Sequence, residues 1–386
     1  GGLTLAALAV RDRQPALAAF FLDRARQRIP AHNRNYSPQG AYLEGPRYWS
    51  YGSSYQVLAG EALRRLELRP GAILTDPAFL ASAAYLDHVT GPGGDFYGYF
   101  DNRTERLADP LPFWFARENR DPALATLALA DLRRHHQRPA PLADLDDHRF
   151  LPLALLWLPD DSPPSATSPR LPLHYFSGGD NPLAVWRSAW APDAAWLALK
   201  GGRGTLNHAH LDAGSFVYEA DGVRWALDLG VQDYHSLEKA GLKLQDKGPD
   251  GQRWRVLRNR NQSHNTLTLG DRLHHPDGTA RLTHHAVAPA LAILDLSPVF
   301  TGQAASVSRG FSFSPATGVL VRDELLGLRE NLARWTLVTA ARCEITPDHQ
   351  AVLLHQDGHT LRLHRHAPED AAWRLSPLDA LARPFD

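Results

Sequence analysis

The stretch NHAHLDAGSFV, residues 207–217, places His208 and His210 two apart, adds an aspartate, and runs through a glycine into apolar residues. In an extended strand, residues i and i+2 share a face. A strand opening here would therefore present both imidazoles together, either for one job or to divide a site. Further on, Asp228 in WALDLG and His264 in QSHNTLTL sit in strand-like surroundings. If three neighbouring strands bring His210, Asp228 and His264 together, two imidazoles and a carboxylate can hold a Zn2+ at about 2.0–2.2 Å and leave a fourth position for water. Paired histidines are also commonly satisfied by hydrogen bonds alone. The doublets His135-His136, His274-His275 and His284-His285 show how little pairing means in a chain with 19 histidines.

These residues need two kinds of scaffold. Residues 1–135 have apolar residues at helical spacing, as in PALAAFFLDRARQRI, SYQVLAGEALRRLEL and DPALATLALADLRRHH. Asp76 and Asp121, each followed by proline, read as helix N-caps. Two stretches rich in Gly, Pro and aromatics, 35–55 and 90–102, break the pattern and read as functional loops facing one cleft. Residues 136–172 read as a connector dense in Pro, Ser and Asp. From 173 to 386 the pattern alternates, with turns at Asp221-Gly222 and Asp357-Gly358, and predicts an antiparallel β-domain.

Composition narrows the function. A net charge of −1 argues against a nucleic-acid binder relying on bulk electrostatics. No apolar run approaches the roughly 20 residues that span a bilayer. One cysteine, Cys343, permits neither an intrachain disulfide nor a cysteine metal cage. Only four of 41 cationic residues are lysines; arginine's planar fork suits carboxylates and sulfates, although a genome-wide codon bias leaves the same mark. The chain has no methionine and opens on a helical pattern, so we expect it to be part of a longer protein.

NHAHLDAGSFVYEADGVRWALDLG resembles the HxHxDxGSF signature of the heparinase II/III-like polysaccharide lyases, and SHNTLTLGD resembles their later HNT element. YSPQGAYLEGPRYWSYGSSY and GPGGDFYGYFDN resemble their two helical-domain motifs, in the same order. The resemblance implies an α+β multidomain fold: an incomplete N-terminal (α/α) toroid, then an antiparallel β-sandwich. It implies cleavage of a uronate-containing polysaccharide, heparan sulfate-like or alginate-like, by β-elimination. That reaction needs a neutralised uronate, a base for the C5 proton and an acid for the departing O4. Tyrosine suits both proton steps when nearby cations lower its pKa from about 10.

Carried over to this chain, the family's pattern makes Tyr99 the catalytic tyrosine, with Tyr97 its rival and otherwise a substrate-side residue. His208 neutralises the uronate or acts as base, while His210, Asp228 and His264 bind Zn2+. Glu44 falls where relatives place an Asn or His, and must be protonated to neutralise a carboxylate. Tyr48 and Tyr234 are expected to line the cleft, and Arg187, or Arg253 with Arg255, to clamp carboxylates. The implied partner is an acidic polysaccharide or oligosaccharide, with a homodimer and a periplasmic or secreted location as further expectations. Two other readings are a non-catalytic acidic-glycan binder, which Glu44 favours, and a zinc-dependent glycan hydrolase.

Overall fold

The computed structural model describes residues 1–36, 38–66, 68–137, 149–158, 171–383 and 385–386. Most of the expected connector (138–148 and 159–170) lies outside the described residues, as does Ser37 of the first loop. The chain forms two compact units: Gly1–Val89, Arg106–Pro172 and Ser177–Gly179 in one; Thr90–Glu105, Leu173–Phe176 and Asp180–Asp386 in the other.

The first unit carries helices α1 (Gly2–Ala9), α2 (Pro15–Arg28), α3 (Pro46–Arg65), α4 (Leu111–Glu118) and α5 (Thr126–Gln137), linked by shorter helical turns. Its core is aromatic: Trp49 stacks on Phe115 with centroids 5.6 Å apart, and Phe79 packs on Trp114 and Phe115. The Trp49 and Trp114 indoles donate to Ser82 and Glu61, so neither ring strands its polar atom. Asp76 accepts from the Ala78 and Phe79 amides and Asp121 from the Ala123 amide, as N-caps do. Helix α3, however, starts within the stretch read as a loop. Gly45, at φ +100°, reverses the chain, and Pro46 fits the first turn of a helix, where its missing N–H is no loss.

Among the described residues, the strands lie in the second unit, save Ser177 at the end of the first strand. A five-stranded sheet runs β1 (His174–Ser177), β2 (Leu183–Arg187), β3 (Trp196–Lys200), β4 (Phe216–Ala220) and β5 (Val223–Ala226). A four-stranded sheet has the order β10-β9-β8-β7, from β7 (Arg281–Val287), β8 (Ala290–Asp295), β9 (Ser306–Ser314) and β10 (Gly318–Leu326). The pair β11-β6 joins Ala333–Trp335 to Leu267–Leu269, and β12-β13-β14 joins Arg342–Ile345, Ala351–Gln356 and His359–His364. Pairing within β2–β5, β7–β10 and β12–β14 is antiparallel. Inner faces meet in one core that includes Leu197, Phe216, Leu294, Phe311 and Leu354.

Along β9 burial alternates, as in a sheet with one face inward, but β2, β3 and β4 are buried at every position. The loop 90–105 supplies part of the second cover. Glu219 on β4 accepts the Gly93 amide at 2.8 Å, and Arg224 on β5 donates to the Asp95 and Phe96 carbonyls. A Cβ on Gly91 would stand 2.3 Å from the Glu219 carboxylate, so glycine lets the loop lie against the sheet.

Buried His274 donates from Nε2 to the Leu267 carbonyl at 2.9 Å. Burial lowers its pKa to about 3 from an ordinary 6.5. Below pH 6.5 the unfolded chain takes a proton that the folded chain refuses, so stability is lost from 6.5 down toward 3. Between pH 7 and 4.5, denaturant unfolding should show His274→Gln losing about 2 kcal/mol less than the parent. Equal losses would exclude His274 as the titrating group.

Candidate functional site

Loop 90–105 brings the carboxylate of Asp101 into the strand-rich unit, where it meets four side chains. Arg253 donates from Nη2 to Oδ2 at 2.6 Å, and the Tyr234 hydroxyl donates to the same oxygen. His210 Nε2 lies 3.0 Å from Oδ1, and His208 Nδ1 lies 3.4 Å from Oδ2 and 3.1 Å from the Tyr234 oxygen. Burial opposes ionisation of Asp101, but the His208 and His210 hydrogen bonds and the Arg253 charge outweigh it and hold the carboxyl well below the usual carboxylate range. Burial also lowers the pKa of His210.

The histidine pair does not lie on a strand, because β4 begins only at Phe216. His208 has φ +59°, a left-handed conformation that is uncommon for a residue with a side chain. Two donors hold it there: the Asp101 amide and Arg253 Nη2 reach the His208 carbonyl at 3.1 and 3.0 Å. The same-face expectation fails for this reason. His210 is buried, while the His208 side chain keeps 27% of its surface.

Beside this network lies a second buried group. Asp212, Asp228 and His264 offer ligand atoms that all lie within 4.8 Å of one another. Both His264 ring nitrogens, Asp212 Oδ2 and His210 Nδ1 are buried without a hydrogen-bond partner. Buried polar atoms are rarely left so, and imidazole with carboxylate is a donor set that zinc accepts. The residues fit a divalent metal. Asp228 and His264 belong to the expected ligand set, while Asp212 holds the third position in this grouping and His210 Nε2 is engaged by Asp101. Burial opposes charge on both Asp228 and His264, but each outweighs it in the other: Asp228 is lowered and His264 raised. Lys200 donates to Asp212 Oδ1 at 2.6 Å, and its ammonium lies 4.3 Å from the Phe100 ring centroid.

A model of the heparinase II/III-like C-terminal domain matches residues 175–378, more than half of the chain. The chain belongs to the heparinase II/III-like family. Three heparinase-type solved structures share its fold. Heparan sulfate lyase HepC from Pedobacter heparinus is 16% identical with TM-score 0.58, over 92% of this chain and 49% of that one. A heparinase III is 14% identical with TM-score 0.66, over 92% and 51%. A second heparinase III is 14% identical with TM-score 0.62, over 96% and 52%. This chain thus spans about half the length of each. No curated protein matches it.

Within this heparinase-like chain the expected residues separate. Tyr234, His208 and His210 converge on Asp101. Tyr97 and Tyr99 are both 0% exposed, and Tyr97 bonds to Ser215 at 2.7 Å. Burial, then Asp228 and Asp212, pushes the Tyr97 phenol well up, opposite to what proton abstraction needs. Arg187 is not an open carboxylate clamp. It is 5% exposed, donates to the Thr90 carbonyl, and lies 3.6 Å from the Trp190 ring centroid. Arg253, expected as a second clamp, holds Asp101 instead; Arg255 is exposed. Glu44 and Tyr48 are half-buried residues of the helix-rich unit. Asp101, Asp212 and Lys200 escaped the sequence reading. Asp101 and Asp212 stand inside quoted motifs; for Asp212, its place two residues after His210 was the available signal.

Removing Arg253 takes from Asp101 the guanidinium that donates to Oδ2 at 2.6 Å. Arg253→Leu should lower unfolding free energy by about 3–5 kcal/mol in denaturant titrations. A loss under about 1 kcal/mol would show that the pair does not hold loop 90–105.

Proposed function

We propose that this chain carries the acid–base site of a polysaccharide lyase that cleaves uronate-containing chains of the heparan sulfate class by β-elimination. The observation that carries the reading is His208, an imidazole that keeps 27% of its side-chain surface and is backed by the buried Asp101–Arg253 ion pair. The shared fold with proteins named heparan sulfate lyase and heparinase III supports this substrate class over alginate.

The chemistry follows from what His208 can do. Its imidazole takes the C5 proton of the uronate, the C–H electrons form the 4,5 double bond, and the C4–O4 bond breaks. The proton then passes to O4 of the departing sugar, either from His208 itself or from a tyrosine. Tyr234 is the phenol hydrogen-bonded to His208. Tyr99, the tyrosine of the family motif, has to be uncovered before it can reach substrate, because no part of it is exposed here. In this reading Glu44 and Tyr48 remain candidate glycan contacts of the helix-rich unit, which is part of an (α/α) toroid, and the strand-rich unit is a β-sandwich. A polysaccharide substrate places the protein in the periplasm or outside the cell.

Zn2+ is the proposed metal, held by Asp228 and His264 with Asp212 or His210 as third ligand. When bound it supplies a fixed charge that orders the ends of β5 and β6; the elimination needs no attacking water, so it need not activate one.

Heparan sulfate, heparin and alginate should be tested as substrates by following the ultraviolet absorbance of unsaturated uronates. We expect signal with heparan sulfate, and His208→Gln should lower kcat about 100-fold or more. Hydrolysis without the double bond, or an undiminished His208→Gln, would refute the lyase reading. Tyr99→Phe and Tyr234→Phe, made in parallel, decide which phenol returns the proton.

Metal content by mass spectrometry should be one Zn2+ per chain, lost in Asp228→Ala and His264→Ala. Comparing Asp212→Ala with His210→Ala identifies the third ligand. A chelator should lower the Tm and added Zn2+ restore it; a metal-free protein with an unmoved Tm contradicts the site.

A further inference from the structure

The protons in the Asp101 network can be assigned, and their assignment gives Asp101 a role of its own. Oδ2 of Asp101 accepts from Arg253 Nη2 and from the Tyr234 hydroxyl. Tyrosine has a single O–H hydrogen, and here it points to Asp101. The phenol oxygen therefore meets His208 Nδ1, 3.1 Å away, with a lone pair. Oδ2 itself lies 3.4 Å from Nδ1 and is also an acceptor. A bare Nδ1 would set lone pair against lone pair on both sides; a protonated Nδ1 makes a hydrogen bond.

We propose that Asp101 is a positioning residue: by fixing the Tyr234 hydroxyl on its carboxylate, it places the neutral His208 proton on Nδ1 and makes Nε2 the lone-pair nitrogen. Asp101 also acts on His208 through the backbone, since its amide and its partner Arg253 together grip the His208 carbonyl and hold the left-handed turn. One loop residue thus sets the direction of the ring and the nitrogen that accepts a proton. The use of Nε2 on a uronate rests on the lyase reading. The tautomer does not.

The test is long-range 1H–15N NMR of the full chain labelled with 15N-histidine at pH 9, with His208 assigned by its loss in His208→Gln. We expect the Nδ1–H form to predominate by about tenfold or more. Predominance of Nε2–H in the parent protein overturns the proposal without recourse to any variant. Asp101→Ala should shift the ring toward Nε2–H, and an unchanged tautomer there removes the role of Asp101. Asp101→Asn should keep Nδ1–H, because Arg253 selects the amide oxygen for the Oδ2 position; Nε2–H in that variant also counts against the proposal. On substrate, Asp101→Ala should lose kcat about 100-fold with KM changed less than about threefold. A parent protein with the Nδ1–H tautomer and no eliminase activity would sink the lyase reading while leaving Asp101's assignment standing.

Discussion

A carboxylate taken out of water must be compensated where it lies, and Asp101 is the point on which the strand-rich unit turns. Its charge is affordable only because Arg253 and Tyr234 donate to one oxygen and His210 lies against the other. Asp101 sits in loop 90–105, and its partners come from three other parts of the sequence: the turn 207–210, the short helix at Tyr234–Lys239 and the 3-10 turn at Gln252–Arg255. Removing any one strands a charge or a donor. The network therefore does two things at once: it locks irregular segments that no ladder of backbone hydrogen bonds could hold, and it leaves the His208 imidazole partly exposed.

The neighbouring acidic group follows a related logic with a different cation. Lys200 neutralises one oxygen of Asp212, while Asp228 and His264 face each other at 3.3 Å. Their unpartnered atoms sit where a divalent ion can satisfy them together. His210 stands between the two groups, bonded to Asp101 and with its ring centroid 5.4 Å from that of His264. In this arrangement the metal would stiffen the ground on which His208 stands.

Much of this was legible in the sequence. Helical spacing and alternation foretold a mixture of helices and antiparallel strands, and HxHxDxGSF foretold the family, because few residue types can replace an imidazole or a carboxylate. Burial was not legible. Arg187 read as a carboxylate clamp and Tyr97 as a catalytic or substrate-side residue, since a polar side chain in a sequence does not announce that a carbonyl or a serine waits for it inside. Nor was the place of loop 90–105: glycines and aromatics signal a loop, but Glu219 and Arg224, more than 110 residues away, decide what it covers. Pro46 lies in a stretch that reads as a loop, yet it opens helix α3.

The most direct test of the account is a crystal structure of the His208→Gln variant with a heparan sulfate oligosaccharide. The account predicts a uronate whose C5 hydrogen faces the position of the His208 ring, with the Asp101, Tyr234 and Arg253 contacts intact behind it. A uronate bound away from residue 208, with another side chain at its C5, would contradict it.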